Sequence, residues 1–180
     1  NWGFTATYDN AGNLYSGGNI QGAGYPATVG AYQVAYGGGN GSGNGWMSDM
    51  AIAKFNPNGT AFLYATYLGG FSNEQPHSLI VDNNNNLVIY GVTWSPNYPV
   101  TAGAYDVTYN GLADIVISKL NTTGNVLLAS TFIGAAGDDG ININPGFFTF
   151  SSLKYNYADE SRGEIIVDAG NNYYIASCTR

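Results

Sequence analysis

Charge is scarce in this sequence. Only 9% of its residues are Asp, Glu, Lys or Arg, against about 25% in an ordinary soluble domain. Five basic residues stand against 12 acidic ones, a net charge of −7. Such a surface repels a phosphate backbone, so nucleic acid is not an expected partner. An anionic lipid surface is disfavoured on the same ground. Cys178 is the single cysteine and His77 the single histidine. One cysteine excludes an internal disulfide and a cysteine-built zinc site. One histidine forces any Ser-His-Asp arrangement through His77. No apolar run reaches the roughly 18–20 residues that span a bilayer as a helix, so no membrane insertion of that kind is expected. No helical 3.6-residue pattern of useful length is visible either.

What is abundant is glycine, 26 residues, and tyrosine, 15, within a chain of 180 residues that is 44% hydrophobic. That content is too apolar for a disordered polar tail. The length fits one domain with a real core.

The chain repeats itself. Tyr8-Asp-Asn-Ala-Gly-Asn-Leu14 returns as Val81-Asp-Asn-Asn-Asn-Asn-Leu87 and as Val167-Asp-Ala-Gly-Asn-Asn-Tyr173. Asp9, Asp82 and Asp168 mark the register. The offset is first 73 residues, aligning Tyr25-Pro26 with Tyr98-Pro99 and Gly30-Ala-Tyr32 with Gly103-Ala-Tyr105. It then falls to 65, aligning Asp49 with Asp114, Lys54 with Lys119, and Thr66-Tyr-Leu-Gly69 with Thr131-Phe-Ile-Gly134. The last offset is 86, so about 21 extra residues follow Gly134. Repeat 1 covers about 4–76, repeat 2 about 77–163 with an insertion at about 135–163, and repeat 3 begins at about 164–180. Within repeat 2, strand signals run over His77–Val81, Leu87–Thr93, Asp114–Leu120 and Val126–Ile133. Their nearly continuous apolar character predicts sheets covered on both faces. An all-β fold built from repeated four-stranded antiparallel units reads as β-propeller blades, about 2.5 of them.

The run Tyr98-Pro-Val-Thr-Ala-Gly-Ala-Tyr-Asp106, with Asn110-Gly111, Asp114-Ile-Val-Ile-Ser-Lys-Leu-Asn121, Gly124, Ser130-Thr-Phe-Ile-Gly134 and Gly137-Asp-Asp-Gly140, resembles the SBBP repeat, a bacterial β-propeller repeat. Phe71-Ser-Asn-Glu74 departs from the Gly-Asp-Asp pattern at the matching place. The resemblance implies a propeller in an exported, often surface-attached, bacterial protein. It implies no single activity.

Candidate sites lie on the side that carries the long connections, about 19–48, 69–76, 95–113 and 134–163, because long loops on a rigid scaffold usually carry binding. Trp46, Trp94, Tyr155 and Tyr157 are the aromatic candidates for stacking on a glycan or anchoring a protein. Phe147, Phe148 and Phe150 read as packing residues. Asp138 and Asp139 are the candidate metal ligands, with calcium the ion, since adjacent carboxylates repel unless something sits between them. Asp9, Asp82, Asp168, Asp49, Asp114, Lys54 and Lys119 read as repeated scaffold positions. The two lysines are expected to reach the short-turn rim and pair there with a turn aspartate or a carbonyl.

The resulting expectation is a non-catalytic scaffold of a secreted or cell-surface protein, serving adhesion or protein–protein interaction, without a cofactor. The alternatives are a lectin or carbohydrate-active enzyme using the long-loop face, and a structural subunit of a surface filament or secretion complex. A partial ring leaves open sheet edges. The expected partner there is the remainder of a longer chain or another protein.

Overall fold

The computed structural model describes residues 2–38, 47–141 and 163–179. Every regular element among them is a β-strand, and all sheet pairing is antiparallel. The first sheet is a meander of β1 (Trp2–Tyr8), β2 (Leu14–Ile20), β3 (Asp49–Phe55) and β4 (Phe62–Leu68). The second repeats it with β5 (Glu74–Val81), β6 (Leu87–Thr93), β7 (Asp114–Leu120) and β8 (Leu127–Ile133). β9 (Glu164–Val167) and β10 (Tyr173–Ala176) form a hairpin equivalent to the first half of such a sheet. The three units do not close into a ring.

The shared register explains the hairpins. Asp9, Asp82 and Asp168 each begin a tight turn whose fourth residue has a left-handed backbone: Gly12 at φ 80°, Asn85 at 60° and Asn171 at 61°. Glycine adopts that conformation freely and asparagine is among the residues that tolerate it best. The aspartate Oδ1 accepts the main-chain N–H groups two and four residues on in all three turns.

The sheets stack face to face. Leu87 and Ile89 turn toward the first sheet and pack with Tyr15, Met50, Ile52, Tyr64 and Leu68. Val88 and Tyr90, one position along, turn the other way and meet Ile165, Tyr173 and Ile175. The middle sheet is therefore buried on both faces, and β6 is buried along its whole length. Each fully buried leucine or isoleucine contributes roughly 2 kcal/mol. β5 lies against β1, β2 and β3 on one side and β9 on the other, so the first strands of the three units run past one another.

The outer faces of the two end units are open. Tyr8 is 75% exposed, Leu14 46%, Ile166 60% and Tyr174 55%. Ile165, by contrast, is buried against the second sheet. In a strand, successive side chains alternate between faces. Ile166 is the one that turns outward.

Described residues within the expected insertion of repeat 2, about 135–163, repeat contacts made earlier in the chain. The Asp139 N–H donates to the Ala113 carbonyl, just as Glu74 N–H donates to Ser48, and Gly140 N–H donates to Cys178. These bonds put Asp139 and Gly140 at the places of Glu74 and Gln75, while residues 142–162 lie outside the described residues.

A pair of repeated glycines reads the packing between sheets. Gly59 and Gly124 occupy the same turn position at φ 66° and 67°. A methyl group on Gly59 would meet open space, whereas on Gly124 it would overlap the ring of Tyr64 in the neighbouring sheet. Gly59→Ala should cost about 1 kcal/mol, the left-handed backbone penalty alone. Gly124→Ala should cost about 1–3 kcal/mol more, the penalty of overpacking. Urea unfolding of both variants checks this, and equal losses would mean that the sheets do not pack as described.

Candidate functional site

Two rims are built differently. On the short-turn rim, each lysine of a third strand pairs with the aspartate of its own sheet's first turn. Lys54 Nζ lies 3.2 Å from Asp9 Oδ2, and Lys119 Nζ lies 2.7 Å from Asp82 Oδ2. Lys54 also sits 4.8 Å from the ring centroid of Tyr15, whose hydroxyl donates to Asp9. The second unit has Val88 where the first has Tyr15, so no tyrosine of its own serves Asp82. Tyr173 of the third unit replaces it: its hydroxyl accepts from Lys119 at 2.9 Å and donates to Asp82 at 3.1 Å. Asn83 fastens the same two turns through Asn171 and the Asp168 carbonyl.

Burial pushes the Asp9 and Asp82 carboxyls up. Hydrogen bonds from Asn13 and Asn86 and the lysine ammonium groups outweigh it, and hold both at about 2. Folded pKa values below the unfolded one give a contribution that is present above about pH 4 and is lost as pH falls through 2. These groups are saturated by one another, which makes the rim a structural device. A double-mutant cycle between Lys119→Met and Asp82→Asn should give a coupling of about 2 kcal/mol in favour of the pair. A coupling within about 0.3 kcal/mol of zero would assign the contact no energetic role.

The long-loop rim gathers buried carboxylates, and it groups them in a way the sequence did not suggest. Asp49, Glu74, Asp114 and Asp139 are each fully inaccessible to solvent. They form two repeated pairs, Asp49 with Glu74 across Gly69 and Asp114 with Asp139 across Gly134. Asp49 accepts from Gln33 Nε2 and from the main-chain N–H groups of Gly37 and Gly38. Glu74 accepts from the Thr93 hydroxyl at 2.6 Å and the Gly70 N–H at 3.0 Å. Asp114 Oδ2 accepts from Asn110 N–H and Asp139 Oδ2 from Ala135 N–H. Burial raises the pKa of Asp49 and Asp114. Burial pushes Glu74 to about 7, against the pull of its hydrogen-bond donors.

The aromatic and metal candidates are described only in part. Trp46, Tyr155 and Tyr157 lie outside the described residues, as do Phe147, Phe148 and Phe150. Trp94 is half-buried against Val92, Ala113 and Ile141. Asp138 and Asp139 diverge: Asp139 is buried and meets Asp114, whereas Asp138 is partly exposed and bridges Ala113. Among the described residues no three Asp, Glu, His or Cys side chains gather as metal ligands. His77 packs edge-on to Tyr90 at 5.5 Å, and burial lowers its pKa to about 4. No helix among the described residues is long and apolar enough to cross a membrane. No known protein-family model matches the chain, and no curated protein matches it.

Glu74 supplies a pH signature. Its folded pKa lies above its unfolded value of 4.5. The unfolded chain therefore releases that proton first, and the stability contribution present below pH 4.5 is lost as pH rises to 7. Glu74→Gln should gain on the wild type by roughly 3 kcal/mol between pH 4.5 and pH 8. Chemical unfolding at the two pH values checks it, and a pH-independent difference would contradict the assignment.

Proposed function

We propose that this chain is a run of β-propeller blades acting as a non-catalytic scaffold, in a secreted or cell-surface bacterial protein that mediates adhesion or protein–protein contact. One observation carries the propeller reading. At the junction of the first two sheets, Met50 lies over Gly91 beside Pro76. The equivalent positions in the first sheet are Gly18 and Gly3. They line a cavity of about 260 Å³ with Ser16, Asn19, Tyr25 and Ala51. The first sheet thus has a socket on its outer face where the second has a filled one. A like sheet stacking there would put a large apolar side chain into it, continuing the series by the rule that already joins the described units.

The scaffold reading is supported by where polar chemistry is spent. The short-turn rim consumes its lysines, tyrosines and aspartates internally, and the repeated buried carboxylates tie consecutive units together. Ordinary single-chain propellers close with four to eight blades. Open faces of this size are rare on soluble monomers. The resemblance to SBBP repeats points the same way.

Sedimentation velocity on residues 1–180 should show concentration-dependent self-association, and Gly18→Trp, which fills the socket, should reduce it. A monodisperse monomer with slow amide exchange at Ile166 and Tyr174 would overturn the propeller reading. Glycan-array binding at micromolar concentration would favour the lectin alternative over the scaffold.

A further inference from the structure

The two buried carboxylate pairs on the long-loop rim are equivalent in sequence but not in how they are satisfied. In the first pair both Asp49 oxygens have donors: Oδ1 takes the Gly38 N–H at 3.0 Å, and Oδ2 takes Gly37 N–H and Gln33 Nε2. Both Glu74 oxygens have donors as well. In the second pair, Asn110 N–H repeats the Gly37 bond, but nothing repeats the Gly38 bond. Asp114 is fully buried, and its Oδ1 has no hydrogen-bond partner. A buried carboxylate oxygen without a donor costs several kcal/mol unless something positive meets it.

That oxygen is aimed at the other carboxylate. The point where a Gly134 Cβ would stand is 2.6 Å from Asp114 Oδ1 and 2.8 Å from Asp139 Oδ2. The two oxygens are therefore no more than about 5.4 Å apart. Two oxygens that share one calcium ion lie at most about 5 Å apart, given bonds of 2.3–2.6 Å, and an ion shared here lies off the line between them, on the side away from the Gly134 backbone. The residue equivalent to Asp139 in the first pair is Glu74, one methylene longer. A glycine lies beside each pair, Gly69 in the first and Gly134 in the second.

We propose that Asp114 and Asp139 bind a divalent hard cation, with Ca²⁺ as the fitting ion. The donors are oxygens only, so zinc and other metals that favour nitrogen or sulfur are not matched. Two carboxylates neutralise one divalent charge. Main-chain oxygens and water complete the shell, because calcium accepts six to eight oxygens in loose geometry. Asp138 is partly exposed, and its main chain bridges Ala113. The bound ion would clamp the start of β7 to the segment that opens the third unit, a tie that hydrogen bonds alone make one unit earlier.

The experiment uses the 180-residue chain at pH 7, with thermal unfolding followed in EDTA and in 1 mM Ca²⁺. Calcium should raise the unfolding midpoint by about 5 °C or more. Asp114→Asn and Asp139→Asn should each abolish the shift, and Asp49→Asn at the equivalent position should retain it. If Asp114→Asn fails to fold, Asp139→Asn carries the test. Isothermal calorimetry with Ca²⁺ gives an independent stoichiometry of one per chain. No calcium shift in the wild type overturns the proposal, and so does a shift that survives in Asp139→Asn. A wild type indifferent to calcium but stabilised by acid, with the acid effect gone in Asp114→Asn, would identify a shared proton in place of the ion and also overturn it.

Discussion

The fold depends on each sheet burying both of its faces. β6 shows the constraint most plainly, with Leu87 and Ile89 on one side, Val88 and Tyr90 on the other, and none of its side chains in open solvent. A sheet of this kind cannot exist alone in water. It needs a neighbour on each side, and the neighbours need the same. Repetition follows from that requirement, because a unit whose two faces complement each other can be stacked without a new interface being invented. The open faces at Leu14 and at Tyr174 are the same surfaces without their complements.

Water-free faces make charge expensive, and the sequence holds few charges. The lysines it keeps in the sheets are each met by a carboxylate. Lys54 and Lys119 extend to the short-turn rim, where Asp9 and Asp82 wait in turns that already donate to the same carboxylates. Turn geometry and ion pairing are therefore one structure: the aspartate that shapes the hairpin also neutralises the third strand. The turns between third and fourth strands, which meet no lysine, use Asn56 and Asn121 in the capping role instead.

The strands and the lysine reach were legible because they rest on local pattern and fixed offset. β6 and β7 begin and end where the apolar runs do, and the 65-residue offset placed Lys54 and Lys119 at one height. The carboxylate pairs were harder to see. Glu74 and Asp139 are also 65 residues apart, but the first stands in Phe71-Ser-Asn-Glu74 and the second in Gly137-Asp-Asp-Gly140. Local dissimilarity hid a shared place in space. The partner of each lies in a different sheet or connection, and sequence distance says nothing about that. Asp138 drew attention through its neighbour, although adjacent residues in extended chain turn their side chains apart.

The first strands of the first two units share an irregularity, and the sequence offset puts the insertion at the same place. β1 carries an extra residue at Phe4, between the pairings of Gly3 and Thr5, and β5 carries one at His77, between those of Pro76 and Ser78. Phe4 and His77 are equivalent in the repeat. In the third unit the same place lies between Ile141 and Glu164. A bulge residue takes no part in the ladder, so more residues can be added there without breaking its bonds. The strand pattern resumes on both sides, at Gly140 against Cys178 and at Glu164 against Ala176. One residue in each of the first two units thus stands where the third has 22, residues 142–163 between Ile141 and Glu164. Gly163, the residue before β9, lies against Tyr90, whose hydroxyl bonds Ser177.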